Sequence, residues 1–148
     1  MTSTGIDAAG GKQRPRREQI TPPGIDNASA ASLSYANGVR TDNIVWIAGQ
    51  VARDAQGNLV GPDDPEAQAI QCFENVKAIA EAAGGTMEDV VRCTFYITDR
   101  AYRPALTAAR ARYFRAPLLP TSTLLIVSGL ALPEYLIEIE AVAVLTGD

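Results

Sequence analysis

Apolar positions along the chain switch between two periods, and the switches mark the elements. Asn43–Ala48 reads NIVWIA, a β-branched and aromatic run that predicts a strand ending at Gly49. Further on, Ala69, Phe73, Val76, Ala80 and Ala83 recur at intervals of four, three, four and three, one stripe of a helix. Asp64 stands as its cap, Pro65 suits its first position, Glu66 complements its dipole and Gly84-Gly85 stops it. The period shortens again over Val90–Ile97, with Val91, Cys93, Phe95 and Ile97 on one face and Arg92, Thr94 and Tyr96 on the other. A second helix is predicted over about 101–114, capped by Asp99, with Pro104 in its first turn and Leu106, Ala109 and Arg110 along it. Two strands, about 121–127 and 135–145, close the chain. Tyr35–Val39 reads as a short strand and turn, 53–64 as a loop and 18–32 as irregular or edge structure. Residues 1–17 read as a flexible leader to a domain over 18–148.

The order is βαβ followed by αββ. Right-handed crossovers would lay both helices on one sheet face and leave the other bare, and such a face usually finds a partner. In the last strand Ile137, Ile139, Ala141 and Ala143 form an all-apolar stripe that belongs under the helices. Leu136, Glu138, Glu140 and Val142 then point the opposite way, with the two carboxylates roughly 7 Å apart. They read either as solvated edge charges or as the lining of a subunit cleft, with Glu138 facing the cleft and Glu140 held by structural partners. A glycosidase-like pair would need aromatic platforms, and Trp46 is the one tryptophan. Trp46 and Cys93 read as packing residues.

Composition removes several chemistries. The chain has 148 residues, a net charge of −4 and no histidine. Polyanion binding needs a positive field, so no nucleic-acid partner is expected. The one basic cluster, Lys12, Arg14, Arg16 and Arg17, reads as a solvated tail. Without histidine there is no Ser-His or Cys-His pair and no imidazole ligand, so neither metal nor other cofactor is expected. No dinucleotide or P-loop fingerprint occurs. No membrane span and no secretory signal are read, so a cytoplasmic protein with Cys72 and Cys93 as reduced thiols is expected. Proton transfer falls to carboxylates, tyrosine, lysine or water.

The ending PTSTLLIVSGLALPEYLIEIEAVAV at 120–144, with IAGQ at Ile47–Gln50 and the helix ending NVKAIAEAAGG, resembles the RidA/YjgF family of enamine/imine deaminases. The resemblance covers about residues 33–145. It implies an α+β fold like chorismate mutase, a six-stranded mixed sheet with two helices on one face, and a homotrimer with intersubunit clefts. It also implies that a small-molecule substrate is held by an arginine through its carboxylate, beside a glutamate that positions or activates water. Carried across, the family's tyrosine is Tyr35 and its glutamate is Glu138, the two implied catalytic residues. The remaining polar cleft positions have changed: the serine is Ala48, the asparagine Thr107, the arginine Ser122 and the frequent cysteine Leu124. A serine hydroxyl cannot replace a bidentate guanidinium. Loss of that cation, in a cleft made more apolar, should also raise the pKa of Glu138. The implied function is a divergent acid/base enzyme acting on a small, uncharged or weakly acidic imine, enamine or carbonyl compound. It would act by hydrolysis, tautomerisation or cyclisation, as in a biosynthetic tailoring step. Two alternatives stay open. One is an ordinary 2-imino acid deaminase with a relocated cation, Arg110 or Arg112 from a neighbouring subunit. The other is a non-catalytic binding or regulatory trimer, since decay of the site would leave the same substitutions. A nuclease, claimed for some relatives, ranks last.

Overall fold

The computed structural model describes residues 16–146. Its strands and helices are β1 (Arg17–Ile20), α1 (Asn27–Ser32), β2 (Gly38–Thr41), β3 (Ile44–Gln50), α2 (Pro65–Ala82), β4 (Val90–Ile97), α3 (Arg103–Arg110), β5 (Thr121–Ile126) and β6 (Ile137–Val144). Six strands form one mixed sheet in the order β1-β2-β3-β6-β4-β5. Only β4 and β5 run parallel, joined through α3; the other neighbours are antiparallel. The sequence order leaves β3 and β4 as neighbours around α2, but β6 inserts between them. The final strand is thereby central, and Glu138 and Glu140 sit mid-sheet rather than at an edge.

Both long helices lie on one face, as the crossover rule requires. The α2 stripe is buried, with Cys72 and Ile79 joining the predicted residues, and it packs on Ile137, Ile139, Ala141 and Ala143 of β6. Phe73 anchors this layer: it stacks on Tyr113 at 4.8 Å and meets the edge of Phe95 at 6.0 Å. The caps act as predicted, with Asp64 accepting from the Ala67 amide and Gly84 turning the chain at φ +95°. Two buried amides on α2 tie down the loops. Gln68 donates to the carbonyls of Gly61 and Glu134 and accepts from the Leu136 amide, fixing the entry to β6. Asn75 donates to the carbonyls of Val51 and Arg53 beyond β3.

Several expectations are corrected. Residues 27–32, expected to be irregular, form α1, whose cap Asp26 accepts from the Ser29 amide. The second helix begins as a 3-10 turn at Arg100–Tyr102, and its α-helical part ends at Arg110, four residues early, with 111–113 in turns. Val91 is exposed, because a register shift between Val90 and Arg92 breaks the alternation and buries Val90 instead. Leu136 precedes β6 and is buried rather than facing outward with the glutamates. Trp46 is half-exposed on the bare face, its indole N–H donating to Thr41 Oγ1 at 3.0 Å. Arg17, assigned to the leader, pairs with Thr41 as the first residue of β1; the rest of the leader, apart from Arg16, lies outside the described residues.

Candidate functional site

Register decides which side chains can meet. Glu138 lies opposite Tyr96, which lies opposite Leu125; Glu140 lies opposite Thr94, and Thr94 opposite Thr123. All these share the bare face. Ser122 lies opposite Cys93, and Leu124 opposite Phe95, on the face that the helices cover. The two positions that the family resemblance brings to one substrate, Glu138 and Ser122, therefore lie on opposite faces of the sheet within a chain.

On the bare face, Glu138 is held by a local irregularity in β3. The β3–β6 register shifts between Ile47 and Gln50. Ala48 donates its amide to the Asn37 carbonyl there, and Gln50 donates to the Ala48 carbonyl and the Asn37 side chain. The bulge brings Gly49 onto the Glu138 carboxylate, where an added Cβ would overlap Oε1. Only glycine leaves this space. Gly49→Ala should push the Glu138 carboxylate aside, at little cost in stability because the overlap falls on the end of a flexible side chain, and lower any Glu138-dependent rate; thermal melts beside turnover check both. Burial first, and the neighbouring charge of Glu140 second, push the Glu138 carboxyl above its ordinary value. The expected direction is met: burial is the cause expected of a more apolar cleft, and the like charge of Glu140 adds to it. Glu140 has the structural partner expected of it: the Tyr96 hydroxyl donates to it at 2.8 Å, and this bond holds the Tyr96 proton on. Ala48 and Glu140 line a cavity of about 370 Å³ with Trp46, Arg92, Thr94 and Val142. Tyr35 is exposed and shares a separate small cavity with Gly49, Asn37 and Arg53, so Tyr35 and Glu138 flank one glycine. Arg53 is neutralised there by Asp26 at 3.1 Å.

On the helix-covered face, Thr107, Arg110, Ser122 and Leu124 come together in one groove of about 500 Å³, with Leu106, Ile126, Arg100 and Arg103. Arg110 Nη1 donates to Ser122 Oγ at 3.2 Å, and the guanidinium lies 5.5 Å over the Phe95 ring. Arg110, a candidate cation from a neighbouring subunit, stands beside Ser122 of its own chain, on the sheet face opposite Glu138. Arg112 instead faces Glu66 at 3.6 Å. Among the described residues no carboxylate pairs with Arg110. Cys93 is buried beneath the groove, and burial pushes its thiol up to about 12 although Arg110 pulls the other way. Among the described residues no three His, Cys, Asp or Glu side chains gather into a metal-binding group.

The whole arrangement has known counterparts. A family model described as Endoribonuclease L-PSP matches residues 25–145. The chain belongs to that family, the one also called RidA/YjgF. Three solved members illustrate the likeness. The YjgF gene product of E. coli is 33% identical, with a TM-score of 0.75, over 86% of this chain and 98% of that one. RidA from an Antarctic Psychrobacter is 29% identical, with a TM-score of 0.70, over 90% and 99%. The Rid protein YyfA from Yersinia pestis is 27% identical, with a TM-score of 0.78, over 88% and 100%. The six-stranded mixed sheet with its helices is thus the RidA/YjgF fold. Sequence reasoning missed Gly49, Arg92, Tyr96, Arg100 and Arg103. An IAGQ segment alone does not reveal that its glycine makes room for a carboxylate on another strand. No described helix is long and apolar enough to cross a membrane.

Proposed function

We propose that this RidA/YjgF member is an acid/base catalyst for small imines or enamines that carry a carboxylate, with Arg110 as anchor and Glu138 as proton carrier. The observation that carries the reading is the Arg110–Ser122 hydrogen bond. It puts an unneutralised guanidinium at the position where the family's arginine is replaced, which favours the relocated cation over an uncharged substrate. Anchor and proton carrier lie on opposite sheet faces, so one substrate meets both only between two copies of the chain. A homotrimer with intersubunit clefts supplies that geometry, and the bare face offers Trp46 and Leu125, 50% and 42% exposed, for burial. Light scattering should give about three times the chain mass of 15.7 kDa; a monomer would separate the two halves of the site.

The proton carrier suits the chemistry. A carboxyl raised toward neutrality can both donate and accept a proton, as addition of water to an imine and loss of ammonia require. Glu138 as base takes a proton from water as its oxygen bonds to the imine carbon. As acid it returns that proton to the nitrogen, giving a carbinolamine; it then takes the hydroxyl proton and passes it to the nitrogen as the carbon–nitrogen bond breaks, releasing ammonia and a carbonyl product. The family description names an endoribonuclease, but a chain of net charge −4 without histidine is poorly equipped for phosphodiester cleavage. The test uses an amino-acid oxidase to generate 2-imino acids, with semicarbazide competing for them. The protein should reduce semicarbazone formation. Undiminished trapping at high protein concentration would sink the imine reading.

A further inference from the structure

The groove at Ser122 carries more positive charge than one carboxylate needs. Arg100 and Arg103 line it with Arg110, and both are exposed. Arg53 and Arg112 each face an acidic partner; among the described residues none pairs with Arg100, Arg103 or Arg110. The chain has 17 acidic residues against 13 basic ones, so this gathering of cations is not a matter of composition. Its position is also unfavourable without a ligand. Arg100 lies in the 3-10 turn before α3 and Arg103 opens α3, whose first turn holds no acidic residue. The helix dipole disfavours cations at that end. Three guanidinium groups around one groove also repel one another, and a bound anion relieves both costs.

We infer that the groove takes a substrate with two anionic groups, the imine or enamine of a dicarboxylic acid. One carboxylate meets Arg110 and Ser122, and the second meets Arg103 and Arg100. Arg103 and Arg110 are seven residues apart, about two helical turns and ~10 Å along one side of α3. Both side chains are long enough to lean along the groove and close on a short diacid. Thr107 lies between them, its hydroxyl donating to the Arg103 carbonyl at 3.0 Å, and leaves the middle of the groove free of charge. The inference rests on the reading of Arg110 as the carboxylate anchor.

Two keto acids, the products that such hydrolysis would release, test it by calorimetry. In 0.15 M salt, where loose attraction is screened, 2-oxoglutarate should bind at least about tenfold more tightly than 2-oxobutyrate, a difference of ~1.4 kcal/mol. The double substitution Arg100→Gln/Arg103→Gln should bring the diacid down to the affinity of the monoacid, whereas Arg110→Gln should weaken both. Equal affinities in the native protein overturn the inference, as does a preference that survives the double substitution. Loss of the native mass in light scattering of the double variant also overturns it, because the two cations would then be serving a neighbouring copy. Oxidase-generated imines separate this inference from the parent reading. Diacid preference in binding with no imine consumed would leave the groove assignment standing and remove the catalytic one. Faster consumption of neutral than of acidic imines would do the reverse.

Discussion

Glu138→Gln should lower turnover of an imine substrate by roughly a hundredfold or more while making the fold more stable at neutral pH. The two effects share one cause. Glu138 is half-buried in the middle of the sheet beside Glu140, and both surroundings disfavour its charged form. A carboxyl whose folded value is raised binds more protons folded than unfolded. Stability therefore falls as pH rises from the unfolded value through the folded one, and is unaffected below both. Glutamine has the same shape, keeps a hydrogen-bonding end and does not ionise. It escapes that loss, but it cannot take a proton from water. Melting curves for the two proteins should coincide in acid and diverge above the ordinary glutamate value, with the variant the more stable. Turnover should fall across the whole range, with KM little changed. A variant at full rate would remove Glu138 from the chemistry. If Tyr35→Phe then abolished activity, the tyrosine beside Gly49 would inherit the role.

What could be read from the sequence follows from how local its cause is. The stripe of α2 and the alternation of β6 depend on neighbouring residues, and both are found with the predicted faces buried. The caps at Asp64 and Asp99 are equally local, since each accepts from an amide two or three residues on. Features that depend on distant partners were not legible. The insertion of β6 between β3 and β4 is a matter of pairing, and an apolar run does not name its neighbour. Val91 has the right period but sits on a bulge. Trp46 has a core residue's composition but faces away from the helices. α1 is six residues long and carries too little periodicity to register. The family positions located Ser122 and Glu138 along the chain, but not on opposite faces. Nor could they show that the side chain of Arg110, twelve residues before Ser122, returns to it across the β4–β5 crossover.

That return leads to the second large effect. Arg110→Ala should raise KM for a carboxylate-bearing imine by about a hundredfold, or ~2.7 kcal/mol, within the range for truncating one partner of a hydrogen-bonded charge pair. Stability should fall by less, because the contact of the half-buried Arg110 with the buried Phe95 ring contributes about 1–2 kcal/mol. Ser122→Arg alone, which restores the family's residue type, should gain little. The new guanidinium would lie against Arg110, and the two cations would repel. Combined with Arg110→Ala, the same substitution should recover at least about tenfold of the lost affinity, since one cation then serves the groove from the strand rather than the helix. A double variant no better than Arg110→Ala would mean that the guanidinium does not act as an interchangeable anchor. A Ser122→Arg protein several-fold better than the native one would mean that Arg110 does not hold the carboxylate, and that the native groove lacks its anchor. Only the relocated cation predicts that the strand arginine helps when the helix arginine is gone and is redundant when it is present.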